Sequence, residues 1–241
     1  MALPLHDFNR TKRLAVVTLA IIAINIFVYA VLQPHDGGQQ EANFTYEHAA
    51  IPCELDHNHP LSHQQYGTRD CSAATGDQRE FFPQKNVWLA VVVSMFLHAS
   101  WIHVLGNMWF LWVFGNNVED YLGKIGYILF YLLAGIVAAA TYAISDLSSL
   151  TPVIGASGAI AGVMGMYLVL WPRARVLTLT FGLPLPLPAF LVLASWFGLQ
   201  FLTDPHSGVA WVAHVGGFVG GALIGLALRQ VKPPTPKAVP A

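Results

Sequence analysis

Charge is what this chain has least of. Asp, Glu, Lys and Arg together make up 10% of its 241 residues, against roughly a quarter in a typical soluble domain. So few ionised groups cannot clothe a water-exposed surface. With 55% hydrophobic residues and a mean hydropathy of +0.52, the chain is expected to be an integral membrane protein. Basic residues are not in excess either: a net charge of -1 offers no face for nucleic acid. Cysteine occurs only at positions 53 and 71, which excludes a disulfide-dense scaffold. An alternation of strand and helix patterns is also lacking.

What is present in quantity is apolar length. Runs suited to membrane-spanning helices, roughly 17–25 residues each, lie at 14–32, 101–118, 125–145, 153–171, 185–202 and 209–228. The expected fold class is all-α, a polytopic membrane bundle of six transmembrane helices. Residues 1–13 make a cytoplasmic N-terminus, 14–228 the membrane domain, and 229–241 a disordered cytoplasmic tail. Arg10, Lys12 and Arg13 precede the first run as in a signal peptide, but the run is long and ends without a small-residue cleavage site, so a retained anchor is expected.

Arg10, Lys12 and Arg13 precede the first run, Arg173 and Arg175 lie between the fourth and fifth, and Arg229, Lys232 and Lys237 follow the sixth, which puts both termini inside and segment 33–86 outside. The second, fourth and sixth runs then enter from the external side. His103 and Asn107, Ser157, and His214 each stand near the start of theirs, at one depth in the outer leaflet. Residues 87–98 are too short to span and read as re-entrant or interfacial.

Ser157 alone reads as a packing serine. Its neighbours change the balance. Ser157, Ala161 and Gly165 form a small-residue stripe, Gly158 and Gly162 a GxxxG pair, and Gly217, Gly221 and Gly225 repeat the pattern after His214. Helices stripped of bulk approach closely, which brings Ser157 within reach of His214. Packing explains the glycines, but a histidine inside an apolar run is a functional candidate, and neutral imidazole is the natural base for a serine hydroxyl.

Asp and Glu are absent from the proposed spans between 101 and 228; Glu119, Asp120, Asp146 and Asp204 fall in links or at ends. A Ser-His dyad is therefore expected rather than a carboxylate triad. His103 and Asn107, four apart, share one helix face and, with the Ser157 N–H, suit a developing oxyanion. A simple interhelical bond is the blander reading of Asn107. His98 is out of phase with both and is assigned to loop anchoring. Ala159 stands where the soluble-hydrolase elbow GxSxG requires glycine, which argues against that fold.

The run His98-Ala-Ser-Trp-Ile-His103-Val-Leu-Gly-Asn107, the GASG run at 155–158, and Ala213-His214 with Gly217 and Gly221 closely resemble the rhomboid intramembrane serine proteases in their bacterial six-helix form, over residues 85–228. The resemblance implies cleavage of transmembrane protein substrates near the external end of their span, in a bacterial plasma membrane, without a cofactor. It implies Ser157 as nucleophile, His214 as general base and acid, and His103, Asn107 and the Ser157 amide as oxyanion donors. Gly155 and Ala156 would shape the loop, and the fifth span with the link Asp204 to Ser207 would gate substrate entry. Two departures stand out: Leu89 and Ala90 replace a Trp-Arg pair that many relatives carry, and Ala161 replaces a tyrosine that stacks on the histidine in some.

Both cysteines fall in the external segment with His35, His48, His57, His59 and His63. A Cys53–Cys71 disulfide is expected there; a zinc set of Cys53, His57, His59 and Cys71 matches no strong ligand spacing, so no metal is expected. The competing functional classes are a catalytically idle rhomboid-like membrane adaptor, against which the intact Ser157 and His214 speak, and a transporter, against which stand the missing inverted repeats and intramembrane carboxylates.

Overall fold

Prolines, glycines and polar caps punctuate the apolar runs, and several of the helices start or stop at them. The computed structural model describes residues 3–180, 182–204 and 209–232. Helix α1 (Val16–Phe27) continues into a π-helical turn at Val28–Leu32. Three short helices, α2 (Gln39–His48), α3 (Pro52–His57) and α4 (His63–Thr68), organise the polar segment 33–86. Helix α5 (Val87–Val93), capped by Asn86, runs through a 3-10 turn and bends by 82° into α6 (Trp101–Leu122), capped by Ser100. Gly123, at φ 77°, separates α6 from α7 (Lys124–Ser145). Helices α8 (Ser157–Leu170), α9 (Ala189–Gln200) and α10 (Trp211–Val231) complete the bundle.

The chain is mostly helical but not all-α. Strands β1 (Leu3–Asp7), β2 (Arg175–Thr180) and β3 (Leu183–Pro188) form an antiparallel sheet in the order β1-β2-β3. β3 corrects the reading of 185–202 as one helical run. Pro184, Pro186 and Pro188 cannot lie in a helix interior, but on an edge strand only Leu183, Leu185 and Leu187 need offer N–H groups to β2.

Other boundaries move too. Helix α8 starts at Ser157, not 153, and residues 229–231 belong to α10 rather than to a tail; positions 233–241 lie outside the described residues. Helix α6 runs past 118 to Leu122, so Glu119 and Asp120 are helical and not in a link. The Glu119 carboxylate is buried and caps α1, accepting from the N–H groups of Val17 (3.0 Å) and Thr18 (2.7 Å) and from the Thr18 hydroxyl (2.8 Å). A carboxylate so placed satisfies amides that the helix start leaves without partners.

Helices α7 and α10 are long and apolar enough to cross a bilayer, and α5 with α6 makes a third if the bent pair counts as one span. The centre of the bundle is α8, buried at every residue from Gly158 to Tyr167. Its glycines admit the neighbouring backbones. A methyl group at Gly217 would overlap the Gly158 carbonyl oxygen, one at Gly221 the Gly162 carbonyl, and one at Gly165 the Phe218 carbonyl. Ala134 and Ala138 of α7 close the same seam from the other side.

Candidate active site

Ser157 opens α8 because the residues before it leave the helical region. Gly155 adopts φ +117°, a conformation open to glycine, and an added methyl there would lie 2.8 Å from His103 Nε2 and 3.6 Å from Asn107 Nδ2. The loop is held on both flanks: the Gly155 N–H donates to the Ser94 carbonyl (2.9 Å) and the Val153 N–H to the Ala50 carbonyl (2.8 Å). Ala156 is buried, which leaves the Ser157 amide among the unpaired N–H groups of the α8 N-terminus.

The glycine seam sets α10 against α8 one turn after His214, and His214 Nε2 lies 2.8 Å from Ser157 Oγ. Across the loop, His103 and Asn107 project from one face of α6. The Asn107 Nδ2 is buried and has no hydrogen-bond partner among the described residues, a donor facing the Gly155 turn. The structure therefore gathers Ser157, His214, His103, Asn107 and Gly155 at one place. Gly158, Gly217 and Gly221 serve the helix seam behind it.

His98 does more than anchor a loop. It is buried, its backbone is clamped by the Gln33 side chain (2.8 and 3.0 Å), and its ring stands edge-on to His103 at 5.0 Å. Its Nε2 lies 3.5 Å from the Ala156 amide, at the limit of hydrogen bonding. Gln33 had no signal beyond its place at the end of an apolar run.

Two further side chains escaped the sequence reading. Gln200, buried at the end of α9, places Oε1 2.7 Å from His214 Nδ1. Trp196, one turn earlier, sets its indole 5.9 Å from the imidazole, while Ala161 is fully buried in α8; the ring beside His214 comes from α9. Gln200 is the only side-chain amide in the run 185–202, and that was the available signal. Where a Trp-Arg pair was missing, Trp88 donates from Nε1 to Asn58 (2.6 Å) and ties α5 to the segment 33–86. Part of the expected entry link, 205–208, lies outside the described residues.

That segment carries its own fastenings. Cys53 and Cys71 are joined as a disulfide, with His57 Nδ1 3.8 and 3.7 Å from their sulfurs. Sulfurs so bonded carry no thiolate charge for a cation. Lys85 and Glu54 form a fully buried ion pair at 2.5 Å. Burial pushes the Glu54 carboxyl up, against the pull of the Lys85 ammonium.

A family model described as a rhomboid domain matches residues 85–231. The chain is 31% identical over 148 residues to the putative rhomboid protease YdcA of Bacillus subtilis, covering 60% of this chain and 69% of that protein. It is 30% identical over 157 residues to the mitochondrial rhomboid protein 1 of Saccharomyces cerevisiae, covering 61% of this chain but 43% of that one. To the rhomboid protease AarA of Providencia stuartii it is 29% identical, covering 58% of this chain and 56% of that protein.

Proposed function

This chain belongs to the rhomboid family, and from that premise we propose that it is an intramembrane serine endopeptidase that cuts transmembrane-anchored proteins near the external end of their span. The observation that carries the proposal is the 2.8 Å contact between His214 Nε2 and Ser157 Oγ. Two of its relatives are named as rhomboid proteases. In this reading His214 takes the hydroxyl proton as Oγ attacks the scissile carbonyl, then returns it to the departing amine. The Ser157 N–H, the Asn107 Nδ2 and the His103 ring stabilise the oxyanion. Water repeats the sequence on the acyl-enzyme, and the route needs no cofactor. The cavity beside Ser157 is walled by Val91, Ser94, Gly135, Ala138, Ile154 and Ala213, which suits a small residue at the scissile bond.

We take α1 and α6 to α10 as the six crossings, with both termini cytoplasmic and the site in the outer leaflet of a bacterial plasma membrane. Helix α8, about 21 Å long by its rise per residue, falls short of a bilayer, but it is enclosed by its neighbours, so its ends lie within protein and not in lipid. The disposition of Arg10, Lys12, Arg13, Arg173, Arg175 and Arg229 supports this orientation.

A fluorophosphonate tests the reading. Purified wild-type protein should label at Ser157 and cleave a single-span substrate, and Ser157→Ala should lose both. His214→Ala should fall to background, since an alcohol without an adjacent base is a poor nucleophile near neutral pH. Unlabelled, folded wild-type protein would return the chain to the idle adaptor.

A further inference from the structure

Hydrogen-bond polarity can be followed outward from the nucleophile, and it ends on a group that cannot reverse. Gln200 Nε2 lies 3.2 Å from the Trp196 carbonyl oxygen of its own helix. A carbonyl only accepts, so the NH2 of the carboxamide must face Trp196 and its oxygen must face His214. At 2.7 Å from that oxygen, His214 Nδ1 must carry the imidazole proton. Nε2 is then bare, and it is the atom 2.8 Å from Ser157 Oγ. The backbone of α9 thus dictates, through one amide, which nitrogen of His214 is the base.

Resting on the serine-protease reading above, we infer that Gln200 is the positioning residue of this site: a neutral third member that selects the His214 tautomer and fixes the ring while α9 lies against α10. Its burial removes water as a competitor for Nδ1. Trp196 flanks the same imidazole from the same helix, and its indole stacks on Phe218 of α10 at 6.0 Å, so the helix seat and the tautomer are set together. A carboxamide holds orientation as a carboxylate does but brings no full charge. Among the described residues the titratable group whose charge reaches His214 is His103 on α6, with Ser157 on α8 the other polar side chain against the ring.

Gln200→Leu removes the acceptor at nearly constant volume. Its kcat should drop about 10- to 100-fold with KM little changed, a fraction of the ~10²–10⁴ that a positioned base supplies. Gln200→Glu keeps an acceptor and adds charge. It should restore most of the rate, and because the carboxylate favours the imidazolium, the acid limb of its kcat profile should move to higher pH. Folded Gln200→Leu protein with kcat within threefold of wild type would overturn the inference. Should that variant not fold, a Gln200→Glu profile superimposable on wild type overturns it instead. Fluorophosphonate labelling of wild-type Ser157 separates these outcomes from failure of the protease reading itself.

Discussion

Helices α8 and α10 meet backbone to backbone at Gly158, Gly162, Gly165, Gly217 and Gly221, with hardly a side chain between them. The segment between 34 and 86 is held by side chains instead: the Cys53–Cys71 bond, the buried Glu54–Lys85 pair, and the capping box in which Ser62 and Gln65 exchange backbone bonds. The difference follows from the solvent. Lipid gives two apolar helices no hydrophobic reason to associate, so close approach must supply the attraction, and each missing methyl lets two backbones touch. A polar segment of some fifty residues with a small core of its own, built on Tyr46, Ile51 and Leu61, has too little apolar area to hold itself and needs staples.

The two regions touch at the nucleophile loop, where Ala50 pairs with Val153 four residues before Ser157. The contrast can be broken from either side. Lys85→Met leaves Glu54 buried and uncompensated and should destabilise the segment 34–86 by about 3–5 kcal/mol, while Glu54→Gln with Lys85→Met should cost far less. Denaturant unfolding read from a probe in that segment measures both. If the double variant is as unstable as the single, Lys85 acts through its packing and its bond to the Tyr46 carbonyl rather than by compensating the Glu54 charge.

Asn107→Ala should leave both regions folded and lower turnover by about 10²–10³, because an oxyanion donor acts when charge develops. Steady-state cleavage with substrate binding measured separately checks it, and wild-type turnover would reduce Asn107 to a packing role. The smallest effect should come from Gly221→Ala, whose methyl meets the Gly162 carbonyl. It should destabilise the seam by about 1–3 kcal/mol, read as a lower melting temperature in detergent with the Cys53–Cys71 disulfide intact. No change would mean that α10 can shift freely against α8, and that the seam does not define where His214 sits.

Much of the candidate site was legible in the sequence because its residues are local exceptions. Ser157 and His214 interrupt apolar runs, and His103 and Asn107 share a phase on one helix, so periodicity alone exposed them. Less visible was Glu119: near a helix end it reads as a solvated charge, and only the arrival of α1 from a hundred residues away turns it into a cap. The Leu-Pro alternation at 183–188 reads as apolar length until β2 is there to pair with it.

By itself the sequence determined that the chain enters a membrane, where its polar exceptions fall along each run, and which helix faces are small enough to close. Those properties depend on composition and on the 3.6-residue period, both local. Only the tertiary structure decided that the imidazole of His214 takes its proton orientation from Gln200 on α9 and its neighbouring ring from Trp196. A hydrogen bond between helices depends on their relative rotation to within a few tenths of an ångström, and a one-dimensional pattern does not carry that rotation.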